Sequence, residues 1–542
     1  MDLLTEMDML RVFLLSAALL FCVGYASFYK MNPDTRHIID KEGRERIFHG
    51  VNVVYKKAPY HPILDHFDPQ LSLCAEDMDN LAAWGFTVVR LYVAWEAVEF
   101  APGAYNETYL AVLSDITKEL GKRGIATIID MHQDLLARRF CGEGVPEWVL
   151  PQVEPALPFA QPFTREPLPL NDQHIPAWED CHNVTNFFGL YFADASAKSW
   201  QVLYEEGSSF QLAFIAFWRK VADHFKDDPN VLGYELLNEP FSGDIYGIPE
   251  LLYPPEVSAR FLMPLYQRLH KTIREVDDTH IIIFEPPVMA LQFFESGFEE
   301  GPGGPAYNDR QLYAFHCYCS DINGTTVGNR DICDELDTQT FVLRQLDMDK
   351  MNLGGIMTEF GAVSNVSSAM VEVSTIADLA DAHLISWAYW QFKYYDDVTT
   401  QAHMHGYSPE SFYNQEGQLE EGKIQSLGRP HAQAVCGKIV FMGWFPHGLT
   451  ADGQKGQIGA GGDGHFQLQM DIRTNCGGPT IIYTGGSRHF PQGAQVVVEP
   501  EVLRMTSVSS DIHLTFEPVA HVEENTRVTV TVWNGNPPQR RV

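Results

Sequence analysis

Two glutamates follow runs of core-type residues, at points where packing alone would not call for a carboxyl group. Glu239 stands in "YELLNEP" (234–240) and Glu359 in "GGIMTEFG" (354–361). If folding brings both carboxyl groups to one pocket, one can donate a proton while the other, ionised, attacks as a nucleophile. That pairing is the chemistry that breaks a glycosidic bond. The alternative is that both are rim carboxylates with structural partners.

Asn238, directly before Glu239, is well placed to hydrogen-bond a sugar 2-hydroxyl group, a contact that strengthens in the transition state.

The elements that must position these groups are short, apolar and rich in β-branched residues. Such runs, with helix-like stretches between them, are typical of parallel strands buried on both faces of a sheet. Eight of them over about 380 residues predict a (β/α)8 TIM barrel. The predicted strands are 46–54, 86–95, 124–134, 231–240, 280–287, 312–318, 354–361 and 385–392. The predicted helices are 75–85, 106–124, 209–228, 264–278 and 367–383.

Polar side chains cluster where these strands end, and active sites of TIM barrels form at the carboxyl ends of the strands. We therefore expect one rim to gather Arg90, His132, Gln133, Asp134, Asn238, Glu239, Glu285, His316, Tyr318, Glu359 and Trp390. Some of these have simpler explanations. Trp390 could be barrel packing, His316 a hydrogen-bonded core histidine, and Asp134 a helix cap.

The chain changes character after the barrel. From about residue 428, apolar and polar residues alternate between Gly, Pro and Asp-Gly turns, which predicts a C-terminal antiparallel β-sandwich. The predicted domains are a barrel over 35–427 and a sandwich over 428–542. The sandwich could simply pack against the barrel, or it could bind sugar or lipid. Residues 144–180, rich in proline and aromatic residues, form a long insertion after the third strand, which we expect to wall the cleft.

The N-terminus and the cysteines indicate export. Residues 1–27 predict a signal peptide, with an uncleaved signal anchor as the alternative. Sequons at Asn106, Asn183, Asn323 and Asn365 agree with a secreted or lumenal protein, extracellular or lysosome-like. The eight cysteines beyond the leader fit disulfides. We expect Cys141 to pair with Cys181, and Cys319 or Cys317 to pair with Cys333.

Charge and composition exclude other classes of function. A formal net charge of −33 opposes binding to nucleic acid. The pairs Cys317/Cys319 and His403/His405 lack the further ligands of a metal site, so we expect no metal and no cofactor.

The residues in this order resemble glycoside hydrolase family 5 of clan A. The resemblance rests on "LLNEP", "MTEFG", Arg90 in "VVRLYVAW", the "HCY" pair and Trp390. More narrowly, "DMHQD" (130–134), "VEFAPGAY" (98–105) and the trailing sandwich look like the endoglycoceramidases, over about residues 40–540.

The resemblance implies a retaining mechanism in which Glu239 is the acid/base and Glu359 the nucleophile. It places His132, Asp134, Asn238, Tyr318 and Trp390 around the sugar, with Arg90 and His316 in support. A lysine near the first strand also contacts sugar in these enzymes. Lys56 or Lys57 could match, and Lys57 is our choice.

The expected reaction is therefore hydrolysis of the linkage between oligosaccharide and ceramide in glycosphingolipids, at membranes or micelles. An activator protein or detergent could present the lipid, and we expect a monomer. A membrane-lipid substrate requires a cleft with a polar and an apolar end. Candidates for the apolar end are "NFFGLYF" (186–192) and "FSGDIYGIPELLYPP" (241–255), which could equally be packing. The alternatives are a glucosylceramidase-like enzyme, an endo-β-glucanase, or a non-catalytic glycolipid-binding protein.

Overall fold

Eight parallel strands close into a barrel, as the sequence predicts. The computed structural model describes residues 29–184, 188–290, 293–319, 330–399, 407–446 and 464–535. Nearly every strand residue is buried, because the strands lie between the barrel interior and the surrounding helices. In order, the strands are His49–Val53, Val88–Tyr92, Ala126–Asp130, Val231–Glu235, Ile281–Phe284, Gln311–Cys317, Gly355–Phe360 and Ser386–Tyr389.

Helices surround the barrel, and all five predicted helices are present. The structure adds Asp194–Tyr204 after the third strand and Arg330–Met351 after the sixth. In the described residues, the fifth and sixth strands are joined through two 3₁₀ turns, Val288–Ala290 and Pro305–Arg310, rather than an α-helix. The longer helices are Ala75–Ala83, Glu107–Gly121, Asp194–Tyr204, Ser209–Phe225, Met263–Arg274, Arg330–Met351, Ser367–Ala382 and Glu421–Leu427.

Two four-stranded antiparallel sheets follow the barrel and share an apolar core that includes Met442, Phe466 and Phe516. The first sheet holds His431–Ala434, Thr480–Tyr483, His513–Pro518 and Leu503–Ser510. The second holds Gly437–Phe445, His465–Ile472, Arg527–Asn534 and Ala494–Glu499. The predicted domain limits stay predictions.

A three-stranded sheet, Tyr29–Met31, Ile38–Asp40 and Glu45–Arg46, precedes the barrel. It touches the sandwich through backbone hydrogen bonds between Glu45 and Val435. The sequence analysis did not predict this sheet.

Three disulfides cross-link the described chain. Cys141–Cys181 is confirmed, and of the two candidates for Cys333 the partner is Cys319. The third bond, Cys436–Cys476, lies in the sandwich. Cys74 and Cys317 are buried free thiols, so not every cysteine beyond the leader is paired.

Several predictions fall outside the described residues: the leader over 1–27, the sequon at Asn323, and His403 with His405. Among the helices that are described, none is both long enough and apolar enough to cross a bilayer.

Candidate active site

Arg90, in the second strand, lies fully buried at the centre of the rim. Burial alone would lower the pKa of its guanidinium, but the surrounding carboxylates hold that pKa well above the ordinary value. The side chain is therefore a fixed positive charge that organises several strand ends. Its nitrogens lie 2.5 Å from Glu359, 2.6 Å from Glu235, 3.1 Å from Asp130 and 3.6 Å from Glu285, and they donate to Asn52 and Asn238.

Glu359, at the end of the seventh strand, is held at both carboxylate oxygens. Arg90 donates to Oε1, and the hydroxyl of Tyr318 donates to Oε2 at 2.7 Å. Burial would raise the pKa of this carboxyl, but the charges of His316, Arg90 and His132, with the Tyr318 hydrogen bond, lower it overall. Glu359 is thus kept ionised and oriented, as a nucleophile requires.

Glu239 lies across from Glu359, beyond the end of the fourth strand. An oxygen of each carboxylate lies within 4.8 Å of an oxygen of the other, and a ring nitrogen of His316 lies within the same distance of both. The Nδ1 of His316 is 2.8 Å from Glu239 Oε1 and 3.5 Å from Glu359 Oε2. Retaining glycosidases place their carboxyl groups about 5 Å apart, whereas inverting enzymes leave roughly 6.5–9.5 Å for a water molecule. The spacing therefore suits double displacement.

The backbone at Glu239 is in the left-handed region, with φ of 41°. A residue other than glycine adopts this conformation at a free-energy cost of roughly 1–2 kcal/mol. The Glu239 side chain keeps contact with solvent, at 19% exposure, while Glu359 is 6% exposed.

Asn238 is buried between two fixed partners. Its Oδ1 accepts from Arg90 at 2.7 Å, and its Nδ2 donates to the carbonyl of Gln133 at 3.1 Å. The side-chain amide is thereby oriented next to both glutamates.

Lys56, and not Lys57, extends into the site. The Lys56 ammonium is buried, lies 4.9 Å from the ring centre of Trp390, and donates to Asp134 at 2.6 Å. Successive side chains of an extended segment point in opposite directions, so only one of two adjacent lysines can face the barrel axis. Lys57, our choice, is half-buried, so the structure favours Lys56 for this position.

A buried ion cluster surrounds Lys56. Burial would lower the pKa of the ammonium, but Asp134, Asp397 and Glu143 raise it well above its usual value. Thr399 also accepts from Lys56, at 2.6 Å. The ammonium lies 3.0 Å from Asp397 and 3.5 Å from Glu143.

His132 and Trp390 form a stacked pair beside this cluster. The ring centres are 5.1 Å apart and the planes differ by 18°. Burial opposes a charge on His132, but hydrogen bonds to Asp130 and Asp134 raise its pKa to about 10. The imidazolium and the indole thus form one wall of the site.

The sequence analysis missed several members of this network, namely Asn52, Asp130, Glu235, Glu143 and Asp397. Asp130 and Glu235 stand inside otherwise apolar strands, and a carboxylate buried there needs a cationic partner. That signal was readable in "IIDMHQD" and "YELLNEP" together with Arg90. Asp397 follows the eighth strand and carries no comparable signal.

Carboxylates and imidazoles in the site come close enough together to hold a metal ion. However, the ammonium of Lys56 already neutralises the group around Asp134, and the guanidinium of Arg90 neutralises the groups around Glu235 and Glu359. The donor sets therefore do not fit a cation.

The expected apolar segments divide into buried and exposed parts. Leu190, Tyr191 and Phe241 are buried, and the ring centre of Phe241 lies 5.7 Å from that of Tyr191 and 5.1 Å from that of Phe192. Leu252 and Tyr253 are exposed. Phe187 lies outside the described residues.

Comparisons with known proteins identify the family of this chain. The family model "Cellulase (glycosyl hydrolase family 5)" matches residues 64–396. The endoglycoceramidase of Cyanea nozakii is 33% identical over 475 residues, covering 87% of each chain. That of Hydra vulgaris is 32% identical over 511 residues, covering 93% of this chain and 90% of the relative.

A solved structure shares the whole fold. Endo-glycoceramidase II from Rhodococcus sp., in complex with ganglioside GM3, superimposes with a TM-score of 0.69 at 22% identity, covering 92% of this chain and 99% of that one. The chain belongs to glycosyl hydrolase family 5 and, within it, to the endoglycoceramidase group, and it is therefore a glycosidase.

Proposed function

We propose that this glycosidase hydrolyses the β-linkage between the glucose of an oligosaccharide and ceramide in glycosphingolipids, releasing intact glycan and ceramide. The observation that carries the proposal is the pair Glu239 and Glu359, with carboxylate oxygens within 4.8 Å of each other beside His316. The names of the relatives from Cyanea nozakii and Hydra vulgaris support the substrate class.

In the first step, ionised Glu359 attacks the anomeric carbon while protonated Glu239 donates its proton to the glycosidic oxygen. The bond between that carbon and oxygen breaks, ceramide leaves as an alcohol, and the glycan is held as an ester of Glu359. In the second step, Glu239 removes a proton from water. The resulting hydroxide attacks the anomeric carbon, which frees the glycan and restores Glu359.

The other side chains are assigned to sugar binding or to support. Lys56, His132, Asp134, Asn238 and Trp390 surround the sugar next to the cleaved bond, with Lys56 taking the place of Lys57. Trp390 offers an aromatic surface for the ring. Tyr318 and Arg90 hold Glu359 ionised, and His316 holds Glu239 in place.

A panel of substrates tests the proposal. We expect a ganglioside and lactosylceramide to yield intact oligosaccharide, identified by mass spectrometry. Cello-oligosaccharides cleaved far faster than any glycolipid would instead establish an endo-β-glucanase. Glucose released from glucosylceramide alone would indicate a glucosylceramidase-like enzyme.

Replacing the nucleophile separates catalysis from binding. Glu359→Gln should abolish turnover and leave glycolipid binding intact, because the amide keeps the shape but cannot attack. Glu335→Gln, on the exposed face of helix Arg330–Met351, is the matched control and should retain full activity. Hydrolysis unchanged in Glu359→Gln would overturn the assignment, and binding with no turnover in the wild type would indicate a binding protein.

We also propose that the protein works outside the cytosol as a monomer. The three disulfides support an oxidising compartment, and Asn106, Asn183 and Asn365 offer glycosylation sites. Expression in eukaryotic cells followed by glycosidase treatment should shift the electrophoretic mobility. N-terminal sequencing decides between a cleaved leader and an anchor, and addition of a lipid-presenting activator tests whether one is needed.

A further inference from the structure

We propose that the loops after the fourth and fifth barrel strands form a membrane-docking surface, which seats the active-site rim on a zwitterionic lipid bilayer. This inference rests on the proposed function, because it concerns how a membrane-bound glycolipid reaches Glu239. The surface, called the apolar rim below, consists of Tyr246, Leu252, Tyr253, Phe293 and Phe294.

The apolar rim exposes side chains that would be more stable out of water. Its members are between 37% and 58% exposed, and burying a side chain of this size contributes about 1.5–3 kcal/mol. Four of the seven exposed Phe and Tyr side chains in the described part of the chain belong to it. Exposed apolar side chains gathered in this way mark interaction surfaces rather than chance exposure.

The two loops form one continuous surface. The rings of Tyr253 and Phe294 meet edge to face, with centres 5.7 Å apart. Behind them the backbones touch, since a Cβ atom on Gly297 would come within 2.4 Å of the Cα of Pro255. The hydroxyl of Tyr246 donates to the carbonyl of Phe192 at 2.6 Å, which fixes the first loop to the 3₁₀ turn Phe188–Phe192.

The loop after the fifth strand joins the apolar rim to a cavity beside Glu239. A cavity beside Glu239 is lined by residues of the fifth-strand loop, including Pro286, Pro287 and Val288. The same loop carries Phe293 and Phe294 a few residues further on. Glu239 protonates the leaving group in the proposed mechanism, so ceramide departs toward this loop. A bilayer in contact with the apolar rim would present its lipids at that opening.

The charge of the two loops determines which kind of bilayer they can approach. The two loops, residues 241–262 and 285–298, contain five acidic residues, of which Glu285 is buried near Arg90, and one basic residue, Arg260. The whole chain carries a net charge of −33. An anionic surface would therefore repel this face, whereas a phosphatidylcholine surface would not. Tyrosine and phenylalanine are well suited to the region of the headgroups.

The test uses the full chain and two double variants. Phe293→Ser/Phe294→Ser removes two members of the apolar rim. Phe100→Ser/Leu212→Ser is the matched control, since Phe100 and Leu212 are 65% and 55% exposed but lie outside the two loops. Binding is measured by flotation with phosphatidylcholine vesicles that contain no glycolipid. We expect the rim variant to bind about tenfold more weakly than the wild type, and the control to bind equally well.

Activity provides the second measurement. On ganglioside in vesicles, kcat/KM of the rim variant should fall about tenfold, whereas kcat/KM on the same lipid in detergent micelles should stay within about twofold. Wild-type binding should weaken on vesicles enriched in phosphatidylserine. Equal flotation of wild type and rim variant overturns the proposal. So does sedimentation that shows the rim to be a dimer contact.

The two proposals fail in different ways. Vesicle binding without any glycolipid cleavage contradicts the proposed function and leaves the docking surface standing. Cleavage in micelles by a wild type that does not float with vesicles contradicts the docking surface alone.

Discussion

The hydrogen bond from Tyr318 to Glu359 helps to determine how low the pH can fall before the nucleophile becomes protonated. The bond stabilises the ionised carboxylate, so its loss in Tyr318→Phe raises the pKa of Glu359. Because Glu359 must be ionised to attack, the acidic limb of the pH profile of kcat/KM should move to higher pH. We expect kcat to fall by about tenfold to a hundredfold, since hydrogen bonds to charged groups contribute roughly 1.5–3 kcal/mol.

The measurement is a full pH profile of Tyr318→Phe beside the wild type. Tyr389→Phe is a control, because its hydroxyl donates to the carbonyl of Glu410 and does not contact Glu359. An acidic limb that does not move in Tyr318→Phe would show that the hydroxyl has only a structural role.

The adjacent lysines offer a second comparison of single residues. Lys56→Met removes the ammonium shared by Asp134, Glu143 and Asp397 and leaves the imidazolium of His132 beside Asp134 as the cation of this buried cluster, which should destabilise the fold by about 3–5 kcal/mol and abolish activity. Lys57→Met should behave like the wild type. Thermal melting and kcat/KM of both variants check this, and equal effects of the two substitutions would contradict the position of Lys56.

For single residues of the site, the sequence was informative where the residue type alone restricts what the side chain can do. Glu239, Glu359 and Arg90 could be predicted to share one rim, because a charged group at the end of an apolar strand requires a partner or a function. The choice between Lys56 and Lys57 could not be made, since it depends on which way one side chain turns after the first strand. The position of Asp397 depends on the path of the chain after the eighth strand, which no local pattern fixes.

Among the elements, the insertion after the third strand depends most on a covalent tie. Cys141–Cys181 and Cys436–Cys476 each join residues 40 positions apart, so each constrains the unfolded chain by a similar amount, about 4 kcal/mol. Their positions differ, because the first bond closes a loop that includes Glu143 of the Lys56 cluster, and the second lies in the sandwich. Because the two disulfides stabilise the fold by similar amounts but lie in different places, removal of one serves as the control for removal of the other.

We expect Cys141→Ser/Cys181→Ser to lower kcat/KM on glycolipid and to open residues 142–180 to proteolysis. Cys436→Ser/Cys476→Ser should lower the melting temperature without changing kcat/KM. Limited proteolysis with mass spectrometry and kinetics on ganglioside micelles give the answer. Loss of activity in the sandwich variant alone would reverse our view of which element walls the cleft.

The barrel strands were predictable because apolar runs of β-branched residues have few other solutions. Helix Arg330–Met351 was not predicted, since its polar and apolar residues show only weak periodicity. The N-terminal strands Tyr29–Met31 and Ile38–Asp40 were missed for a similar reason. Each has three residues, too few for a pattern, and the two strands pair with each other.

At the scale of the whole molecule, the barrel and the sandwich meet through two buried histidines. The ring of His49, in the first barrel strand, lies 3.7 Å from that of His431, in the first sandwich strand. Burial, together with the charge of Arg429 for His49 and the nearby His49 for His431, holds both pKa values well below the usual range. Asp381 and His513 also face this pair.

These histidines make stability depend on pH with a definite sign. Below a pH of about 6.5, the unfolded chain binds protons at both imidazoles, whereas the folded chain does not. Stability supplied by the neutral pair is therefore complete above that pH and is lost as the pH falls.

His431→Phe removes one of these groups while keeping a ring against His49. We expect the melting temperature of the wild type to drop more between pH 7.5 and pH 5 than that of His431→Phe, as measured by calorimetry. An equal drop in both proteins would mean that protonation of this histidine pair does not affect stability, and that the acid response arises from other histidines such as His270 and His489, whose pKa values burial lowers to about 4.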